Sequence, residues 1–236
     1  MDFSTIYPAT NIGDSNSSSN SIQDCILVLE FLNETGRRQR QYMDFLCDIK
    51  KVNTNDYFFV NVVWQQLMQL DLAAQFDSIE IWSDGGPHHF KTRYCQWSWH
   101  HFSSCYFQGK RITHNFFAAY HGHSLADSHA GRDKQVIKAE YLSSQHSRLQ
   151  LLPLSARPVY WGPSSARDVQ IILQKKIENT TAVVLADIDR DPQLKPAVAG
   201  LPNIKQYHSF FYENNRCYMA ELTNDGNPTS FRFQYL

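Results

Sequence analysis

A chain of 236 residues that is 42% hydrophobic and 14% aromatic can bury a core, which excludes intrinsic disorder and fits one large domain with or without a small appendage. Its formal net charge of −1 is unevenly spread. Residues 1–80 hold five Lys/Arg against eleven Asp/Glu, whereas residues 81–150 hold eight against four and nine of the ten histidines. No run approaches the ~18 apolar residues of a membrane span, and no basic-then-apolar leader opens the chain, so an intracellular protein is expected. Five scattered cysteines with no CxxC pair argue against a cysteine-rich zinc finger or a disulfide framework and for free thiols.

In chain order, Met1-Asp2-Phe3 is strand-like and leads through Pro8 into a serine-rich polar stretch, Asn11 to Asn20, that reads as a loop. Asp24–Asn33 and Gln39–Ile49 read as strands flanking the turn Glu34-Thr35-Gly36-Arg37, an antiparallel hairpin. Over Asn53–Phe76 the apolar period becomes helical, with Thr54 or Asn55 as N-cap. Ser78–Trp82 is a short buried strand, His89–Phe107 an aromatic-rich helix and Ile112–Tyr120 another strand. A helix then runs from about Ser124 to Leu142. Beyond a linker punctuated by Pro153, Pro158 and Pro163, Ser164–Ile177 reads as a helix and Ala182–Ile188 as a strand. Ile204–Phe211, Arg216–Leu222 and Ser230–Gln234 read as short strands. A meander that turns into alternating strand and helix is an α/β architecture with a mixed sheet. The expected division is a core over residues 1–145 and, over 146–236, a linker, a helix and a small antiparallel α+β addition.

Two of these strands end on turns rich in acid and histidine. Asp84 follows the strand IEIW, and His121, His123 and Asp127 follow Ile112–Tyr120. Ligands gather where strands of α/β sheets end, and two strand ends delivering acids to one place would make a divalent-metal site. Gly85 and Gly86 permit a sharp turn beside Asp84, although Asp-Gly is also an ordinary turn. His121, His123, Asp127 and His129 fit a zinc site, a magnesium or manganese site in which Asp127 is the ligand, or a capped polar loop. Arg132, Lys134 and Lys138 follow on the same helix, either as a basic edge for a nucleic-acid backbone or as a solvated face. Lys91 and Arg93, interleaved with Tyr94, Trp97 and Trp99, suit base stacking or core packing. Neither a phosphate-binding glycine loop nor a GxSxG or HExxH motif occurs.

Together, IWSDGGPHHFKTRY and HNFFAAYHGHSLADSHAGRDK resemble the catalytic core of transposase-like proteins encoded by eukaryotic DNA transposons. The first segment carries the resemblance on Ser83, Asp84, Gly85, Phe90, Lys91 and Tyr94. The second carries it on Phe116, Phe117, His121, Gly122, Asp127, Gly131 and Lys134, and the opening DFS places Asp2 at the end of the first strand. The resemblance implies a ribonuclease H-like DDE/DDD domain, here with its first strand truncated. It further implies Asp2, Asp84 and Asp127 as catalytic, metal-holding acids for two magnesium or manganese ions, with Asp133 or Glu140 as alternative third acids. His121 and His123 become supporting groups. The implied partner is DNA, bound through Lys91, Arg93, Arg132, Lys134 and Lys138, with a nuclear location following from that partner; a homo-oligomer is compatible with it. A catalytically inactive nucleic-acid-binding module on the same scaffold and a histidine-rich zinc-binding structural protein are the competing expectations.

Overall fold

The computed structural model describes residues 2–6, 21–48, 57–69, 75–85, 90–107, 110–117, 124–149, 163, 165–185, 188–189, 191–214, 216–221 and 227–233. Among them the chain is mixed α/β, with four helices and two mixed sheets. Each sheet belongs to its own compact unit. The first unit comprises Met1–Thr54 and His123–Ala186, the second Asn55–Gly122 and Asp187–Leu236. No helix among the described residues is long and apolar enough to cross a membrane.

The first unit is built on β1 (Asp2–Ile6), β2 (Ile22–Leu32) and β3 (Arg38–Asp48), an antiparallel meander. The hairpin joining β2 to β3 closes where expected. The Asn33 side-chain oxygen accepts from the backbone N–H groups of Thr35 and Arg37, and Gly36 turns the chain at φ +72°, a region costly for any residue with a Cβ. β6 (Thr180–Val184) adds to β3 in parallel, giving the order β1-β2-β3-β6. Two helices of this unit, α3 (Leu125–Leu149) and α4 (Ala166–Lys176), supply the apolar faces.

Strand alternation decides what that sheet buries. Ile6, Ile22, Leu46 and Ala182 come from four adjacent strands and pack with Ile137 of α3 and with Val169, Ile172 and Leu173 of α4. Each fully buried aliphatic side chain of this kind contributes about 1.5–3 kcal/mol. The start of α4 is capped twice: Ser165 accepts from the Asp168 N–H, and Asp48 of β3 accepts from the Ala166 N–H at 2.7 Å.

The second unit holds α1 (Tyr57–Met68), β4 (Ser78–Ser83), α2 (Arg93–Tyr106) and β5 (Arg111–Phe116). After them come β7 (Ser209–Glu213), β8 (Arg216–Ala220) and β9 (Thr229–Phe231). β4 and β5 are parallel; β7, β8 and β9 extend β5 antiparallel. Thr92 caps α2 by accepting from the Cys95 N–H, and the next turns bury Cys95, Gln96, Trp99, Phe102 and Ser103 at helical spacing. Trp64 of α1 meets Trp99 with ring centroids 4.4 Å apart. Buried Tyr212 donates to Gln96 Oε1, and Ser103 donates to the Tyr212 carbonyl.

The strand pairing redraws the expected division at residue 145. β6 and α4, expected in a C-terminal addition, complete the N-terminal sheet; β7 to β9 instead extend the sheet of β4 and β5. Expected element ends shift too. Asn53–Phe76 contains a helix over Tyr57–Met68, and the helix expected to end at Leu142 continues to Leu149. The strand expected over Ile204–Phe211 is a 3₁₀ turn, Ile204–Gln206, followed by β7.

Candidate functional site

In the second unit, the parallel pairing of β4 with β5 sets Ser83 opposite Phe116, so both strands run out at the same edge of the sheet. Buried Ser83 lies 2.6 Å from Nε2 of His114, which is itself fully buried on β5. Burial pushes the His114 imidazole down to about 3, so it is neutral near pH 7. The Phe117 N–H donates to the Ser83 carbonyl, and a Cβ on Gly85 would sit 3.4 Å from the Phe117 carbonyl oxygen. Glycine at this position therefore permits the close approach that turns the chain. Asp84, between these two anchored residues, is exposed.

The other expected cations of this unit are drawn inward. Lys91 is buried: its ammonium donates to the Lys205 carbonyl at 3.0 Å and lies 5.3 Å from the centre of the Phe116 ring, and burial lowers its pKa. Arg93 donates to the Tyr94 hydroxyl at 2.6 Å and stacks over that ring. Both act here as packing groups.

In the first unit, Asp127 opens α3. Its Oδ2 accepts from the N–H and hydroxyl of Ser124, whose hydroxyl accepts from the Asp127 N–H, a reciprocal capping box. Replacing Asp127 with Ala is expected to cost about 1 kcal/mol. Hydrogen exchange should show the loss in the first turn of α3; unchanged protection there would mean the cap is not holding the helix. Arg132, Lys134 and Lys138 are exposed on this helix. Glu140 is paired with Lys176 of α4 at 3.0 Å. Asp2 occupies the register position opposite Ile26, and His121 and His123 lie outside the described residues.

The ionisable groups that converge most closely among the described residues were expected only in part. Asp24 of β2, Asp44 of β3, and His129 and Asp133 of α3 are between 0% and 3% exposed. His129 and Asp133 stand four apart on the buried helix face that continues to Ile137. Asp24 and Asp44 fall on the same sheet face, because Asp24 is opposite Leu46 and Asp44 opposite Ile26. His129 Nε2 lies 3.3 and 3.4 Å from the two oxygens of Asp44 and 3.5 Å from Asp133 Oδ1. Tyr42 stacks on the imidazole with ring centroids 4.1 Å apart and planes 7° from parallel, which fixes the ring's orientation. Burial pushes Asp133 up to about 7, with Asp44 adding to the rise and His129 opposing it. Asp24 is held well above the ordinary carboxylate range by burial, then by Asp44 and Asp133. A set of this kind can share protons or hold a cation.

The sequence signal for Asp24 and Asp44 is slight. Each is a single acid within the buried part of its strand, and parity places it with Ile22, Ile26 and Leu46. Asp133 was expected only as a substitute third acid. His129 was expected as a candidate metal ligand alongside His121, His123 and Asp127, and neither it nor Asp133 was expected to meet strands β2 and β3.

Residues 28–221 match the family described as Domain of unknown function (DUF8701). The chain belongs to this family. The matched span contains Asp44, Asp84, Asp127, His129 and Asp133, whereas Asp2 and Asp24 precede it. Comparison with curated proteins and with solved structures gives no match. For this DUF8701 member, function is therefore argued from the chemistry of its own residues.

Proposed function

We propose that this chain is a ribonuclease H-like domain of transposase descent whose partner is DNA. The observation that carries the reading is the shared edge at which β4 and β5 end, with Asp84 exposed between Ser83 and Gly85. The carboxyl ends of parallel strands are where α/β proteins place their ligands. The chain order, three meander strands, then helix, strand, helix, strand, helix, agrees with this reading, whereas the division of β1–β3 and β4–β5 between two sheets departs from the single mixed sheet it expects. Asp84 of the second unit, and Asp2 and Asp127 of the first, each carry hard oxygen donors of the type that binds magnesium or manganese. Such ions would activate a water or 3′-hydroxyl and stabilise the leaving oxygen of a phosphodiester. Exposed Arg132, Lys134 and Lys138 would meet the phosphate backbone without reading sequence, and a DNA partner implies a nuclear location.

A second reading, DNA binding without cleavage, is favoured by one observation: Asp127 Oδ2 is committed to capping Ser124. One experiment separates the two. Labelled DNA is incubated with magnesium or manganese and the wild type or Asp84→Ala, and binding is followed at 50 and 200 mM salt. Cleavage predicts metal-dependent nicking that Asp84→Ala abolishes. Binding alone predicts no nicking, but a salt slope that falls by up to about 2–3 in a variant with Arg132, Lys134 and Lys138 all changed to Gln. A wild type that neither nicks nor binds DNA would end both readings.

A further inference from the structure

We infer that Asp44, His129 and Asp133, with Asp24 as a neighbouring buried acid, hold a resident first-row divalent cation, manganese or zinc, that ties α3 to strand β3. One ligand atom from each of Asp44, His129 and Asp133 lies within 4.8 Å of the others. Donors at ~2.1 Å from one ion are ~3.4 Å apart in a tetrahedron and at most ~4.2 Å when opposite. His129 already stands 3.3 Å from Asp44 and 3.5 Å from Asp133, so closure falls on the two carboxylates, which approach by about an ångström.

A second, independent feature points to a ligand. Among the described residues, both oxygens of fully buried Asp24 receive no hydrogen bond, nor do Asp44 Oδ1 and both oxygens of Asp133. Oxygens so placed have lost their water without gaining a protein donor, a state that is costly unless a cation compensates. Arg132 and Lys134 flank Asp133 in sequence and act on it from exposed positions, and their pull is smaller than the cost of its burial. The one nitrogen donor, His129 Nε2, is aimed at Asp44 and Asp133 and is held by its stack on Tyr42. A single imidazole among carboxylates suits manganese or zinc better than magnesium, which favours oxygen ligands alone and retains much of its water. With all three ligand side chains buried, the ion's role is to join elements; Asp84 and Asp127 are exposed and are not among its ligands.

The test uses the full chain purified without chelator. Elemental analysis is expected to find about one equivalent of manganese or zinc. After stripping with EDTA, either ion should raise the Tm by on the order of 5–10 °C at a hundredfold excess over its dissociation constant, with magnesium having a smaller effect. The double variant Asp44→Asn, Asp133→Asn should fold without metal and lose both the equivalent and the Tm response. Asp77→Asn, which removes an exposed acid outside the cluster, should keep both. If the double variant does not fold, His129→Gln supplies the same comparison and should weaken the response at least tenfold in metal concentration. A wild type with no bound metal and no response to either ion would overturn the proposal. So would a response that survives the cluster variants or disappears with Asp77→Asn.

Discussion

Acidification from pH 7 to pH 4 is expected to remove about 3 kcal/mol of stability from the second unit through His114 alone. In the folded protein, burial depresses this imidazole to about 3, against an ordinary value of 6.5. A base whose folded pKa is depressed contributes its full stability above the unfolded value, and that stability is lost as pH falls from 6.5 towards 3. The loss has a local meaning, because His114 is the side chain against which Ser83 is set, and Ser83 leads directly into Asp84. Hydrogen exchange over Arg111–Phe116 should rise across this pH range, together with a drop in the denaturant midpoint read by tryptophan fluorescence. Trp64, Trp82, Trp97 and Trp99 all belong to this unit. His114→Gln should flatten the dependence, and equal slopes in wild type and variant would show that another group is responsible.

The first unit should respond to pH in the opposite direction once stripped of cations. Asp133 has a folded value of about 7 against an ordinary 3.8, chiefly because it is buried. A raised carboxyl stabilises the fold below the unfolded value, and that contribution is lost as pH rises from 3.8 through 7. The full span corresponds to roughly 4 kcal/mol. Asp24, also raised, adds in the same direction. In EDTA, exchange within α3 should therefore be faster at pH 8 than at pH 5, and Asp133→Asn should slow it at pH 8 by removing a buried charge. A manganese or zinc ion competes with the proton for the same carboxylate, so loading it should cancel the slope. Stripped wild type with equal protection at both pH values would exclude this account of Asp133.

The two opposing slopes come from the same physical cause, the removal of an ionisable side chain from water. Burial disfavours the charged form of either group, which lowers an imidazole and raises a carboxyl. Each side chain lies on an element whose apolar neighbours made its burial foreseeable: His114 alternates with Ile112 and Phe116 on β5, and Asp133 lies four residues from Ile137 on α3.

Local order could be read well from the residues themselves. The β2–β3 hairpin followed from the Thr-Gly turn between two apolar runs, and the helix starting near Ser165 from its capping residue, whereas the helix expected from His89 starts at Arg93, where Thr92 caps it. Such features depend on neighbours in the chain, so pattern and period suffice to place them. Which strands would share a sheet could not be read in this way. β6 pairs with β3 across more than 130 residues, and β7 pairs with β5, because a period of two states which face is buried but names no partner. The same limit hid half of the buried acid cluster. Parity placed Asp24 and Asp44 on an apolar face, and helical spacing paired His129 with Asp133. Only the packing of α3 against β2 and β3 made the two pairs one site, since charges meet through tertiary distance and not through sequence.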